Sequence, residues 1–494
     1  MKLHHTLTLT IGVLLVPLVT AQWGAWTPMV RKTTRRLIQA PSPRPFSPAL
    51  KFGDEPSTTS PTGLRPTTTR TPPPAPNTAR PRGGLVVVPE NDPKITHSML
   101  DFMIRISRTL TQQQSKTELF SPVSIATVAS LLFLGSKGTT HEEFKKVLTP
   151  AGMNWNHYHQ RYSGVLANLV SQNPIDSKRD QWRRQTCPIN DDYEDEQEAI
   201  EPKSQVIRLA NGVFYQPSLR MEQKYVSVAS GLYGALVEPI DQQNSAAKIN
   251  RWVSDMTAGK IPNMLDGPLS PSSSVVLVNA LYFKGKWKTQ FEPLVTRPAP
   301  FFPHGYDKPS YPVTMMSLSG CLPFHKTRNG VSIVGLPYRD DSSTMYLIQP
   351  TNSSETAIRR LQATLTGKTL ESMIAQMKLQ TTMVRMPKMH LKSSFNLLQS
   401  FQKIGLTSIL SPAKSNLGQM ISENSTQRPY VNQIMHKVDL VIDEEGTEGA
   451  AATSALVDRM GPQQTFNGNA PFLLYLRHDA TGLPLFYGPI FDPR

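Results

Sequence analysis

A chain of 494 residues is longer than an ordinary single domain, yet 43 prolines and 18% charged residues imply that not all of it packs into a core. The 52 Lys and Arg against 37 Asp and Glu leave +15, a balance that suits a polyanion binder and a basic secreted protein equally well. Two cysteines, Cys187 and Cys321, are too few for a disulfide-stapled scaffold or a cysteine zinc site.

Lys2 precedes the apolar stretch from Leu7 to Leu18 and then Val19-Thr20-Ala21, which reads as a cleavable secretory signal over residues 1–21. The stretch is too short, and too broken by Pro17 and threonines, for a membrane span, which needs roughly 18 apolar residues in a row. The C-terminus, Phe491-Asp-Pro-Arg494, carries no retention tetrapeptide, so an extracellular protein without a membrane anchor is expected. The triplets Asn352-Ser-Ser354 and Asn424-Ser-Thr426 mark Asn352 and Asn424 as candidate glycosylation sites.

Residues 22–93 are dominated by Pro, Thr, Ser and Arg and cannot bury enough apolar surface to offset their ordering entropy. Their basic side chains outnumber the acidic ones, so part of the net charge belongs to this extension. It is read either as a glycosaminoglycan-binding anchor or, with more weight, as a solvated linker. From Lys94 the texture changes. Met99, Phe102, Met103, Ile106 and Leu110 fall at helical spacing over residues 95 to 114, and Ser121-Pro122 opens a second helix running to Leu134. The runs Ser274 to Phe283 and Ser332 to Leu336 read as buried strands, and residues 357 to 365 as a further helix, giving a mixed α and β domain over 94–494. Between these lies a basic block, residues 177–184, followed by an acidic block, residues 191–198, containing Tyr193. A polyanion site beside a candidate sulfotyrosine competes here with the favoured reading of a solvated loop insertion.

No catalytic constellation is present. A Gly-x-Ser-x-Gly elbow is missing, His141-Glu-Glu lacks a second histidine one helical turn on, and no phosphate-cradling glycine loop occurs in a strand-to-helix setting. No enzyme activity, cofactor, metal or nucleic-acid partner is therefore expected.

The informative stretch runs from Ile442 to Pro462. In strand register Thr447, Gly449, Ala451, Thr453 and Ala455 share one face, and all are small and uncharged, so that face could enter a sheet while Gly446 supplies a pivot. Here the chain resembles the serpin family. Its hinge, Glu444-Glu445-Gly446-Thr447-Glu-Gly449-Ala450-Ala451-Ala452-Thr453, is similar to that of inhibitory members. Matching segments include Phe120-Ser-Pro-Val-Ser-Ile125, Gly135-Ser-Lys-Gly-Thr139, Ile249-Asn-Arg-Trp-Val253, Asn279 to Trp287, Pro387-Lys388, His436-Lys437 and Leu485-Phe-Tyr-Gly488. Departures are Thr117, where the family often has Asn, and Gly449, where it often has Ala.

The resemblance implies an α+β serpin fold of three β-sheets and about nine helices, with a reactive-centre loop over about 444–466 exposed as protease bait. It also implies a monomeric suicide inhibitor that forms an acyl bond to a serine protease and then inserts the cut loop into its main sheet. Ser121, Ser124, Asn279 and His436 would form the polar cluster where the sheet parts, and Trp287 would sit near the top of the opening; each also has a plain core reading. The family's spacing places the bait at Met460-Gly461, or at Arg459-Met460 for a loop one residue shorter. The guanidinium of Arg459 favours the latter for a trypsin-like target of an extracellular cascade. A non-inhibitory member and a polyanion-binding surface protein remain as alternatives.

Overall fold

In a computed structural model, the described residues are 92–110, 118–170, 180–186, 205–241, 243–270, 273–423, 425, 428–447 and 462–494. The signal segment, the extension up to residue 91, the acidic block with Tyr193, Cys187, Asn424, the hinge residues from Gly449 onward and the bait residues Arg459, Met460 and Gly461 lie outside them.

Nine α-helices occur among the described residues: α1 (Pro93–Leu110), α2 (Pro122–Gly135), α3 (Gly138–Leu148), α4 (Trp155–Val170), α5 (Gln223–Tyr233), α6 (Ser245–Met256), α7 (Glu355–Thr364), α8 (Gly367–Ala375) and α9 (Leu398–Lys403). The first six strands are β1 (Gln205–Tyr215), β2 (Leu236–Pro239), β3 (Val275–Lys286), β4 (Arg297–Phe301), β5 (Tyr311–Lys326) and β6 (Val331–Pro337). The others are β7 (Ser343–Pro350), β8 (Lys378–Pro387), β9 (Met389–Asn396), β10 (Val431–Ile442), β11 (Gly446–Thr447), β12 (Gln464–Asn467), β13 (Phe472–His478) and β14 (Leu483–Ile490).

One sheet has the order β2-β1-β3-β10-β9, with the short β11 on β3; the other runs β12-β8-β5-β6-β7-β13-β14, with β4 on β5. Two of the three expected sheets are thus continuous, because the 16-residue β5 pairs with β4 and β8 and, at its far end, with β6. The first helix begins at Pro93, beside the Lys94 at which the texture of the sequence changes. Asp92 accepts from the amide of Lys94 at 3.0 Å and pairs with Arg161 at 2.6 Å, pinning the start of α1.

Helix α2 opens as expected, with Ser121 as N-cap and Pro122 in the first turn. It is buried almost all round and packs against β3, β14 and α5, which explains an apolar run with no polar face. Strand β3 is also covered on both sides. Leu277, Leu281 and Phe283 enter the main core, while Val276, Val278 and Ala280 meet a second cluster under α6, so the run reads as continuous rather than alternating. Asn279 belongs by parity to the main-core face, where a polar side chain must find partners.

Candidate functional site

The middle of the first sheet carries a buried polar chain. His436 on β10 is fully buried; its Nε2 accepts from the amide of Ser121 at 3.0 Å, so its proton sits on Nδ1, 3.1 Å from Asn279 Oδ1. Burial pushes the His436 imidazole down to about 3, so it is neutral at ordinary pH. Asn279 on β3 donates in turn to Asn211 Oδ1 at 2.7 Å, and Asn211 on β1 donates to the Tyr233 carbonyl at 3.0 Å. The chain therefore links α2, β10, β3 and β1 across the line where β3 and β10 meet. Ser121 joins it through its backbone, while Ser124 does not join it through its hydroxyl, which is buried without a partner. Asn211 went unnoticed in the sequence, although a lone Asn inside the apolar run Leu209 to Phe214 was the available signal.

Strands β3 and β10 are parallel, and their pairing ends at Ala280 opposite Lys437. Above that point they part, and β11 occupies the top of the gap, antiparallel to β3, with Gly446 opposite Lys286 and Thr447 opposite Gly285. The hinge is therefore seated in the sheet at Gly446 and Thr447. Thr447 is fully buried, as expected for the first residue of the small-residue face, and its Oγ1 lies 2.8 Å from Tyr338 Oη. Tyr338 stacks on Trp287 with ring centres 4.5 Å apart. Trp287 Nε1 donates to the Asp443 carbonyl at 3.0 Å, the Trp287 amide to the Glu445 carbonyl at 2.8 Å, and the Phe291 amide to the Glu444 carbonyl at 2.8 Å.

Gly446 is required for close approach rather than as a pivot. A Cβ there would stand 2.1 Å from the Gly285 carbonyl oxygen, and its φ is not left-handed. Asp443 shapes the entry, its Oδ1 accepting from the amides of Glu445 and Gly446 at 3.1 and 3.2 Å. Lys388 lies 2.7 Å from Glu444; against the opposing effect of partial burial, this pairing holds the Glu444 carboxyl below its ordinary range. Burial, with Asp443 beside it, raises that of Glu445.

Two further parts of the chain singled out in the sequence lie among the described residues. Asn352 is exposed on the turn before α7, in the left-handed conformation that Asn tolerates. The basic block is not wholly a solvated loop: Trp182 is 4% exposed, and the side chain of Arg183 is buried against Asp479 at 2.5 Å and Asp341 at 2.9 Å. Arg183 is thereby committed inside the protein rather than presented to a polyanion. Cys321 is disulfide-bonded, and the chain contains one other cysteine, Cys187. Among the described residues no group of three or more His, Cys, Asp or Glu could hold a metal ion, and no helix is long and apolar enough to cross a membrane.

Known proteins share this chain's fold and much of its sequence. The family model described as serpin (serine protease inhibitor) matches residues 97–493. Serine protease inhibitor 28Dc of Drosophila melanogaster is 32% identical over 435 residues, covering 81% of this chain and 80% of that protein. Among solved structures, Serpin48 of the insect Tenebrio molitor superposes with a TM-score of 0.67 at 23% identity, covering 82% of this chain and 99% of its own. Human thyroxine-binding globulin, solved in complex with thyroxine, superposes equally well at 0.67 with 20% identity, covering 81% of this chain and 98% of its own. With that family model spanning most of the chain and a relative 32% identical over most of both proteins, this chain belongs to the serpin family.

Proposed function

We propose that the protein is a secreted inhibitor that traps trypsin-like serine proteases of an extracellular cascade as a covalent complex. The observation that carries this reading is the hinge, whose Gly446 and Thr447 already lie in the mouth of the gap between β3 and β10. In the reaction, the protease serine Oγ attacks the carbonyl carbon of the residue before the cut, which we assign to Arg459 with Met460-Gly461 as the competing bond. The peptide bond breaks, and the new α-amine of Met460 leaves with a proton from the enzyme's histidine. The loop, released at its far end, then continues the strand begun by β11. The uncharged residues Gly449, Ala451 and Thr453 follow Thr447 inward without burying a charge. Insertion carries the tethered enzyme away before water can release it. Ser121, Asn279 and His436 are assigned to the part of the sheet that must open for this strand, and Trp287 to the lock at its top.

The test is incubation with trypsin followed by denaturing electrophoresis and mass spectrometry of the released C-terminal fragment. A complex that survives denaturant, with a fragment beginning at Met460, is expected. A fragment beginning at Gly461 would move the assignment by one bond. Quantitative cleavage without a complex would overturn the inhibitory reading in favour of a non-inhibitory serpin.

A further inference from the structure

Residues 180–186 stand by themselves between two stretches outside the described residues, yet they are firmly docked. Beyond the ion pair to Asp479, Arg183 Nη2 donates to Thr344 Oγ1 at 2.8 Å, and the guanidinium lies over the Trp182 ring at 4.3 Å. Asp180 pairs with the fully buried Arg477, which also bonds Asp479 at 2.7 Å. Gln185 Oε1 accepts from the Leu379 amide at 3.0 Å. Charges buried in such a network are costly to leave unpartnered, so the segment is held in one place.

One limb of this network leads to the hinge. Asp341, which receives Arg183 Nη1, also receives Lys288 Nζ at 2.8 Å. It closes a turn whose amide at Asp341 donates to the Tyr338 carbonyl at 3.0 Å, with Asp341 itself in the left-handed conformation. Tyr338 at the start of the turn holds Thr447, while Lys288 follows Trp287, whose amide holds Glu445. Arg183 and the hinge therefore grip opposite ends of the same four-residue turn.

We propose that residues 180–186 form a strap that positions the 338–341 turn, and that Arg183 thereby sets how firmly Gly446 and Thr447 are held in the sheet. Arg183 is a positioning residue, acting through Asp341 and Tyr338. Its consequence for trapping rests on the inhibitory reading above, whereas the coupling itself can be measured without any protease.

The experiment is hydrogen exchange by mass spectrometry on the full chain, comparing wild type with Asp341→Asn and Arg183→Gln. Asn keeps the left-handed turn while removing the charge that Arg183 and Lys288 share. Exchange at the Trp287 amide and in peptides covering residues 444–447 should quicken about tenfold in both variants, while α6, which the network does not reach, stays at the wild-type rate. Should Arg183→Gln fail to fold, Asp341→Asn and its combination with Tyr338→Phe carry the test. Loss of Tyr338 Oη should leave little further for Asp341→Asn to do at the hinge, so the two effects should fall short of additive. Wild-type exchange at the hinge in a folded variant, acceleration spread evenly into α6, or full additivity with Tyr338→Phe would each overturn the strap. A wild-type chain that is cut without trapping protease would sink the inhibitory reading and leave this coupling result standing.

Discussion

Gly446 has a carbonyl oxygen where a side chain would go. Gly446→Ala is therefore expected to push β11 off β3 at a cost of about 1–3 kcal/mol, since the obstacle is backbone and cannot swing aside. Faster amide exchange at Thr447 with an otherwise intact sheet is the check. Thr447→Arg is the functional counterpart. A guanidinium at a fully buried position beside Tyr338 would have to be desolvated without a counter-ion, so trapping should give way to simple cleavage, and an unchanged yield of covalent complex would contradict the role given to the hinge. Acid should act on the buried histidines. Burial depresses His436 and His159 to about 3 and His478 to about 4, below the roughly 6.5 of an unfolded chain. The unfolded state then takes the proton first: their contribution is complete above about pH 6.5 and is lost as pH falls toward 3–4, by about 2 kcal/mol per histidine at pH 5. The thermal midpoint should drop between pH 7.5 and 5, and a flat profile would count against these burials. At this scale His436, Asn279 and Trp287 could be singled out because they sit in recognisable segments, and the first two are bonded to each other, while their role in opening the sheet is a proposal. Tyr338, Asn211 and Arg183 act through partners far away in the chain, and Arg183 even lay in a block whose charge pattern pointed to solvent.

The elements most legible in the sequence were those whose burial leaves no ambiguity, such as α2 behind its Ser121-Pro122 start and the doubly covered β3. Less legible was β11, because two residues carry no periodicity; it exists through Gly285, Tyr338 and the Asp443 turn rather than through its own propensity. Its presence means that the inserting strand need not be nucleated from nothing. With the entry turn formed, each further residue adds ladder bonds against a loop-closure cost already met in part. At about 1 kcal/mol per net bond, a completed strand contributes on the order of 10 kcal/mol, so cleavage of the loop should raise the thermal midpoint by roughly 10 °C or more. Calorimetry before and after limited cleavage tests this, and no shift would mean that the cut loop stays outside.

For the whole molecule, the change of texture near Lys94 was the sequence signal for where a helical period begins, and helix α1 starts at Pro93, with Asp92 bonding to the Lys94 amide. Deletion of residues 22–91 should leave trapping and thermal stability unchanged. If the extension is an anchor, that deletion should lower retention on heparin, and equal retention would assign the basic excess to a linker. The junction of two expected sheets through β5 was not legible, because a 16-residue strand and two shorter ones have the same alternation. The parting of β3 from β10 has an implication outside inhibition altogether. Between Ala280 and Gly285 that side of β3 is an edge located within a sheet, and an edge accepts any strand of suitable sequence and direction. A second molecule offers a segment identical to the chain's own hinge, so warming the uncut protein at high concentration should link copies head to tail, whereas the cleaved protein, its gap filled from within, should remain monomeric on sizing.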